Sequence, residues 1–270
     1  MTRPPGRPGG TPYDDEVPEL PASVRLALWT TLAWTGRLSV AAAVARSFPG
    51  VDHVTGLEPT LRAWGDVGER ALFVALPRPG DLTGLPRCTP AVAGHAAEAG
   101  ECVHVAGVGG ILVPTQSEFG PLGDTGLRMD WTVYDAEPAP RHRLEMLDLR
   151  ETERRLLEDM RMKTEQFEAA GGHPWDRQAR AEAESGLHHT LWGLPEQVAP
   201  KALHVMAVAA TVGQLAERAR SLTGLGAHGA DATTSARREQ LLRSLSADAD
   251  AALAQATNVA VMALAGWRPA

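Results

Sequence analysis

The pattern of apolar and polar positions divides this chain into a short region with strand character and longer regions with helical character. All convincing strand segments lie between Ala71 and Asp135, and nearly everything after Leu144 has the three- and four-residue spacing of helices. Because strands and helices are segregated along the chain rather than alternating, the pattern predicts an α+β fold.

Four segments carry the strand signal. Residues 71–76 form a short apolar run between turn residues, and residues 102–106 and 111–113 flank a glycine-rich turn. Residues 127–135 alternate most clearly. Their expected faces are Met129, Trp131 and Val133 on one side, with Arg128, Asp130, Thr132 and Tyr134 on the other. We therefore predict a small, mostly antiparallel sheet of about four strands, the last three as a meander.

Residues 115–126 separate the last two of these strands. Their second half is rich in glycine and proline, so we expect an exposed loop. A long irregular loop in a compact domain is often functional, which makes its polar side chains candidates for a site.

Helical patterns precede and follow the sheet. We predict an N-terminal helix over residues 22–48, which ends before Pro49 and Gly50. Five further helices are predicted along the chain. These are a short helix within residues 59–68, an alanine-rich helix over 90–99, a helix that Asp148 caps with Glu151, a helix from Pro200 to about Leu222, and a last helix over 237–265.

The two last helices are unusually apolar and alanine-rich. The final helix has one stripe composed of Leu242, Leu245, Ala249, Ala252, Ala256 and Val259. Small side chains at half of these positions allow close helix packing, so we expect two long C-terminal helices that pack on each other or on a second copy of the chain.

We divide the chain into a disordered tail (1–20), an α+β region (21–143) and a helical region (144–270). The last two regions form either separate domains or one continuous domain.

Charge and composition exclude some partners. The net charge is −7 and no basic stripe is visible, so we expect no nucleic acid. The apolar runs are too short to span a bilayer and the acidic N-terminus is not a signal peptide, so we expect no membrane and a cytoplasmic location. Cys88 and Cys102 are then expected to be reduced thiols.

Known cofactor motifs are absent from the sequence. The segment from Gly107 to Gly110 resembles part of a phosphate loop, but a strand follows it where a helix is needed, which favours a hairpin turn. Walker A, HExxH and GxSxG patterns do not occur. We therefore expect no cofactor.

Two groups of residues are candidate sites. Glu184 and His188 are four positions apart and, in a helix, can ligate a metal; exposed histidines on a loop are the alternative. The other group surrounds the polar face of the last strand and can bind a ligand or perform acid–base chemistry, the alternative being a solvated sheet face. It comprises Glu118, Asp124, Arg128, Asp130 and His104.

Two functional hypotheses follow. In the first, the protein acts by protein–protein interaction and associates with itself through its C-terminal helices as a homodimer or larger homo-oligomer. In the second, it is a small-molecule-binding protein or an enzyme with a polar site around Glu118, Arg128 and Asp130. No catalytic motif is recognisable, so the sequence leaves open whether the protein is an enzyme and which ligand it takes.

Overall fold

The computed structural model describes residues 20–121, 125–169, 192–225 and 232–268. In these residues the strands are β1 (His53–Thr55), β2 (Phe73–Ala75), β3 (Cys102–His104), β4 (Ile111–Phe119) and β5 (Gly126–Tyr134). The helices are α1 (Ala22–Trp34), α2 (Val40–Ser47), α3 (Glu58–Asp66), α4 (Pro90–Ala99), α5 (Arg141–Glu145), α6 (Leu149–Ala169), α7 (Pro200–Leu225) and α8 (Ala232–Leu264).

The sheet has the strand order β1-β5-β4-β3-β2. β3, β4 and β5 form the predicted antiparallel meander, and β2 extends it in the same sense, whereas β1 pairs parallel with β5. The α+β prediction is therefore confirmed, with five strands rather than about four. β1 was missed because its three residues are exposed or half-buried, so they do not form the apolar run that marks β2 and β3.

The prediction of a loop over residues 115–126 was wrong for residues 115–119. β4 continues through Phe119, and its ladder with β5 ends at the pair of Phe119 with Gly126. Residues 115–119 are all exposed, so neither apolar alternation nor burial marks them as strand. The hairpin is consequently longer than the sequence pattern indicates.

The predicted faces of β5 are confirmed, although one residue of the inner face is not buried. Val133 pairs with Leu112, on the face of Met129 and Trp131, which are each 4% exposed, but Val133 itself is 50% exposed. β1 pairs only with residues 128–130, so β5 has no outer neighbour at Val133.

The N-terminal helix is two helices rather than one. α1 ends at Trp34, and Gly36 then takes a φ of +81°, which only glycine adopts readily. α2 starts anew after Ser39, whose Oγ accepts a hydrogen bond from the amide of Ala42 at 3.1 Å. The apolar spacing continues across this break, so periodicity alone did not reveal it.

Helices α6 to α8 follow the prediction closely. Asp148 caps α6, with its Oδ1 accepting from the amides of Arg150 and Glu151 at 2.8 and 3.0 Å. Glu151 also makes an ion pair with Arg155 one turn later, at 2.6 Å. α7 begins at Pro200, and α8 begins five residues earlier than predicted.

The apolar stripe of α8 is covered within the chain. Its six members, from Leu242 to Val259, are each 7% exposed or less. α7 packs along α8, and a Cβ added at Gly213 of α7 would lie 3.5 Å from the Cβ of Ala249. The same core includes Leu26 of α1 and Phe73 of β2, so the sheet and the C-terminal helices share one hydrophobic core.

The outer edge of β2 is closed by side chains instead of a strand. Val74 points its backbone groups away from β3, and the carboxamide of Asn258 on α8 pairs with both of them. Asn258 Oδ1 accepts from the Val74 amide at 2.8 Å, and Nδ2 donates to its carbonyl at 2.9 Å. Thr31 Oγ1 of α1 accepts from the next outward amide, that of Leu72, at 3.0 Å. The strand is fully buried, so these bonds replace water that cannot reach it.

We predict that Asn258→Leu lowers the free energy of unfolding by roughly 2–5 kcal/mol, because a buried donor and acceptor of Val74 lose their partners. Chemical denaturation measures the change. Thr257→Val is the matched control, since the Thr257 hydroxyl bonds only to the Leu253 carbonyl of its own helix. Equal losses in the two variants would contradict the role of Asn258.

We also predict opposite effects of alanine at two glycines. Gly56 has a φ of +79°, and a Cβ there would lie 1.9 Å from the Trp131 carbonyl oxygen, so Gly56→Ala should destabilise the fold by more than about 2 kcal/mol. Gly94 lies inside α4 with open space around it, so Gly94→Ala should be neutral or stabilising by up to about 1 kcal/mol. Thermal denaturation compares them, and a harmless Gly56→Ala would show that the β1 connection is misplaced.

Candidate functional site

A cavity of about 440 Å³ lies between the β2 edge of the sheet, α8, the loop over residues 81–87 and the segment over residues 137–147. Its apolar wall includes Val74, Leu76, Leu85, Pro86, Pro138, Ala139, Pro140, Leu144, Leu147, Ala247, Ala251 and Ala254. Its polar groups come from Asp81, Thr83, Arg87, His104, Glu137, Arg143, Gln255 and Asn258. Apolar walls with a few polar groups are typical of small-molecule sites.

The cavity exists because α8 presents a second row of small side chains. Ala247, Ala251 and Ala254 recur at helical spacing with Asn258 and face the cavity instead of α7. Asn258 holds α8 at a fixed distance from β2 through its two hydrogen bonds to Val74. Methyl groups at the three alanine positions are too short to fill the space that this distance leaves.

The wall opposite the sheet is held by the C-terminal end of the chain. The Arg141 guanidinium lies 4.4 Å from the ring centre of Trp267, and Arg268 donates to the Leu147 carbonyl at 2.7 Å. Pro138 and Pro140 restrict the backbone between these points and the sheet. The helical part of the segment over residues 137–147 is therefore held in place by Trp267 and Arg268.

The loop on the other side is anchored by an ionic network. Arg78 donates to Asp250 of α8 and, at 2.6 Å, to Glu217 of α7. Burial raises the pKa of Asp250, although the bond from Arg78 opposes this effect. Asp81 closes the start of the loop through paired backbone hydrogen bonds with Arg78 at 2.8 and 2.9 Å. The network fixes where the loop enters the cavity wall.

His104 is the buried titratable group of the cavity. It lies on β3 opposite Phe73 and stacks on that ring with centroids 5.7 Å apart. The side chain is 2% exposed, and burial lowers its pKa to about 4, an effect that the backbone of Val105 partly offsets. No described group makes a hydrogen bond of ordinary geometry with its Nδ1. A neutral imidazole is thus part of the wall at neutral pH, and its Nδ1 has almost no accessible surface, so this atom does not face the open cavity.

The structure does not gather the predicted polar site into one cluster. Asp130 accepts a hydrogen bond from Thr55 Oγ1 at 2.5 Å, and the Arg128 guanidinium lies 5.8 Å from the ring centre of Phe119. Glu118 pairs across the ladder with Leu127, and cross-strand partners share a face. Glu118 therefore lies on the face opposite Arg128 and Asp130.

His104 shares the face of Asp130 but lies far along the sheet. It is level with Ile111 of β4 and through it with Tyr134 of β5, four residues from Asp130. At 3.4 Å per residue the separation along the strand is about 14 Å. Asp124, the remaining member of the predicted site, is outside the described residues.

The predicted metal ligands Glu184 and His188 also lie outside the described residues. Within the described part of the chain, no group of three or more His, Cys, Asp or Glu side chains is placed to hold a metal ion. Cys88 and Cys102 are free thiols, the second fully buried, and burial raises the pKa of both.

The glycine turn that resembles a phosphate loop binds an internal carboxylate. Glu69 is 6% exposed, and its Oε1 accepts hydrogen bonds from the amides of Gly107 and Val108 at 2.8 and 2.6 Å. β3 and β4 leave the turn antiparallel, so the hairpin prediction is confirmed. The amides that a phosphate would need are occupied by Glu69.

Sequence reasoning missed most of the cavity wall. Of the predicted residues only His104 lines it, whereas Asn258, Ala251 and Arg143 were not singled out. One signal was available: an asparagine close to the end of an otherwise apolar helix needs hydrogen-bond partners when it is buried. The alanines gave no signal, because the same residue type serves for close packing and for leaving space.

We predict that His104 makes stability depend on pH. The folded pKa of about 4 lies below the ordinary value of 6.5, so the unfolded chain binds more protons between these pH values and stability falls as pH drops through them. The loss amounts to about 3 kcal/mol at full effect. His104→Phe should remove this part of the pH dependence when the free energies of unfolding at about pH 7.5 and pH 4.5 are compared. His95→Gln is the control, because His95 is exposed on α4. Identical profiles for wild type and His104→Phe would contradict the burial of a neutral imidazole.

The family of this chain follows from its similarity to known protein domains. None of the described helices combines the length and the apolar character that a bilayer span requires. No curated protein and no solved structure matches the chain. Residues 23–145 match the Rv1486c-like protein, N-terminal domain, and residues 150–266 match the Rv1486c-like protein, C-terminal domain. Because these two matches follow each other and together span most of the sequence, the chain belongs to the Rv1486c-like protein family.

Proposed function

We propose that this protein binds a small molecule in the cavity between β2, β3, α8 and the segment over residues 137–147. The observation that supports it most is the cavity itself, whose wall joins apolar side chains of β2, α8 and the segment over residues 137–147 to a small set of polar groups. Concave sites of this composition are where proteins most often bind small molecules.

The dimensions of the cavity agree with this proposal. Its volume of about 440 Å³ lies within the roughly 300–1,000 Å³ of small-molecule sites. It opens at a rim where the side chains of Arg87 and Glu137 are 82% and 67% exposed, so a ligand can enter without unfolding the core.

The proposal concerns binding and not catalysis. A general base is usually oriented by a second polar group, and Nδ1 of His104 has no such partner among the described residues. The predicted site around Glu118, Arg128 and Asp130 stays a prediction. We favour the cavity over it because Glu118 and Arg128 lie on opposite faces of an exposed hairpin.

Self-association through the C-terminal helices, the first hypothesis from the sequence, also stays a prediction. The stripe that suggested it is buried within the same chain, by α7 and other elements, and so is not available to a second copy. A dimer would need another surface, and this is why we place the small-molecule function first.

We predict that filling the cavity abolishes binding without loss of fold. Ala251→Leu adds apolar volume at the α8 wall, so a panel of soluble apolar alcohols, ketones and acids should raise the melting temperature of the wild type but not of this variant. Where a ligand is found, its Kd should weaken by about tenfold or more, equivalent to about 1.4 kcal/mol. Thermal shift followed by isothermal titration calorimetry measures both.

Ala236→Leu is the control, because Ala236 is exposed near the start of α8 and away from the cavity. This variant should bind as the wild type does. The proposal fails if no member of the panel stabilises the wild type, or if the two variants bind equally well.

A further inference from the structure

We propose that the ligand of this cavity is an uncharged, elongated molecule, with one neutral hydrogen-bonding group at Gln255 and a hydrocarbon chain along the alanine row of α8. This inference rests on the proposed function and adds the chemical class and the shape of the ligand. Three properties of the wall support it: the balance of its charges, the state of its polar groups and the length of its α8 face.

The charged side chains of the wall balance each other. Asp81 and Glu137 contribute two negative charges, and Arg87 and Arg143 contribute two positive charges. His104 adds no charge at neutral pH, because burial lowers its pKa to about 4. A charged group of either sign would therefore lose its hydration on entering the apolar interior without meeting a net counter-charge, which is unfavourable. The wall favours a ligand without charge.

Most of the neutral polar groups of the wall are already engaged. Asn258 is bonded to Val74 through both its Oδ1 and its Nδ2. The Thr83 hydroxyl donates to Asp81 Oδ1 at 2.6 Å. Nδ1 of His104 has almost no accessible surface, so a ligand does not reach it. A ligand in the cavity therefore needs another polar partner.

Gln255 is such a partner. Its Oε1 lies 3.0 Å from the Thr152 hydroxyl, which occupies one half of the carboxamide. Its Nε2 makes no hydrogen bond with any residue that the structure describes and, unlike Nδ1 of His104, has surface that a ligand can contact. Since Nε2 is a donor, a carbonyl or hydroxyl oxygen of the ligand can accept a hydrogen bond from it.

The α8 face of the cavity is elongated. It runs from Ala247 to Asn258, which are roughly 16 Å apart along the helix axis. Gln255 lies within one turn of Asn258, whereas Ala247 is roughly 12 Å away at the other end. Ala251 and Ala254 lie between them, and their methyl groups leave the path open. A ligand whose polar group is at Gln255 thus has room for a hydrocarbon chain that extends toward Ala247.

Four probes of matched carbon number test the charge of the ligand. Octanol and 2-octanone are uncharged, whereas octanoate is an anion and octylamine is a cation at about pH 7. Calorimetric titration of the full chain should show similar binding of the two uncharged probes. We expect at least about tenfold weaker binding of both charged probes, because each must either dehydrate its head group or leave it at the rim without a net counter-charge.

Two rim variants test the charge balance itself. Glu137→Gln leaves the wall with a net positive charge and should improve the binding of octanoate. Arg87→Gln leaves a net negative charge and should improve the binding of octylamine. Both side chains are largely exposed, so we expect changes of about two- to threefold at low ionic strength, with octanol unaffected. The absence of both changes would overturn the charge argument.

Gln255→Leu tests the polar contact. This variant keeps the approximate size of the side chain and removes the carboxamide, so octanol and 2-octanone should each bind about fivefold more weakly. Gln214→Leu is the matched control, because Gln214 is exposed on α7 and does not line the cavity. It should bind both probes as the wild type does. A cooperative melting transition establishes that each variant is folded.

A series of alcohols tests the shape. From butanol to octanol, affinity should rise by about fourfold for each added methylene, as for a chain that is buried along its length. Ala247→Leu blocks the far end of the row, so it should weaken octanol and leave butanol unchanged. Equal binding of butanol and octanol would overturn the elongated shape.

The outcomes distinguish this inference from the proposed function. If octanoate or octylamine binds as tightly as octanol and Ala251→Leu abolishes that binding, the cavity is a ligand site but the uncharged class is wrong. If octanol binds and 2-octanone does not, or if Gln255→Leu changes neither, the assignment to Gln255 Nε2 is overturned. If no probe binds and Ala251→Leu changes nothing, the inference fails together with the binding function on which it rests.

Discussion

The hydrogen bonds between Asn258 and Val74 are the constraint on which the rest of the structure depends. β2 is an edge strand in a position where water has no access, so its outward amide and carbonyl groups need protein partners. The carboxamide of Asn258 supplies a donor and an acceptor at 2.9 and 2.8 Å, as a neighbouring strand would. A helix that must reach a strand in this way has its rotation and its distance from the sheet fixed at the same time.

This placement makes the two alanine faces of α8 behave differently. The face that includes Ala249 and Ala256 packs closely on α7, where small residues let the helices approach. The face that includes Ala251 looks toward the sheet at a distance set by Asn258, and the same small residues leave a cavity of about 440 Å³. His104 then lies in the wall because β3 is the strand next to β2. Stability and the candidate site thus have one structural origin.

The parts of the fold that could be predicted are those with long periodic patterns. The meander, α7, α8 and the Asp148 cap follow from spacing and capping rules, because apolar burial and local hydrogen bonds decide them. The break after Trp34 and the strand character of residues 115–119 could not be predicted. The break depends on the backbone conformation of a single glycine, and the strand depends on its pairing with β5 instead of on buried apolar side chains. Most of the site could not be predicted either: its residues come from segments more than a hundred positions apart, and only His104 was named beforehand.

Amide hydrogen exchange at β2 tests the central claim most directly. Leu72 and Val74 point outward, with no strand beside them, whereas Phe73 and Ala75 point toward β3. If side chains of α1 and α8 close this edge, the amides of Leu72 and Val74 exchange as slowly as those of Phe73 and Ala75, at the rate of global unfolding. Exchange at Val74 that is faster by orders of magnitude than at its neighbours would show an open edge, and would contradict both the position of α8 and the cavity that depends on it.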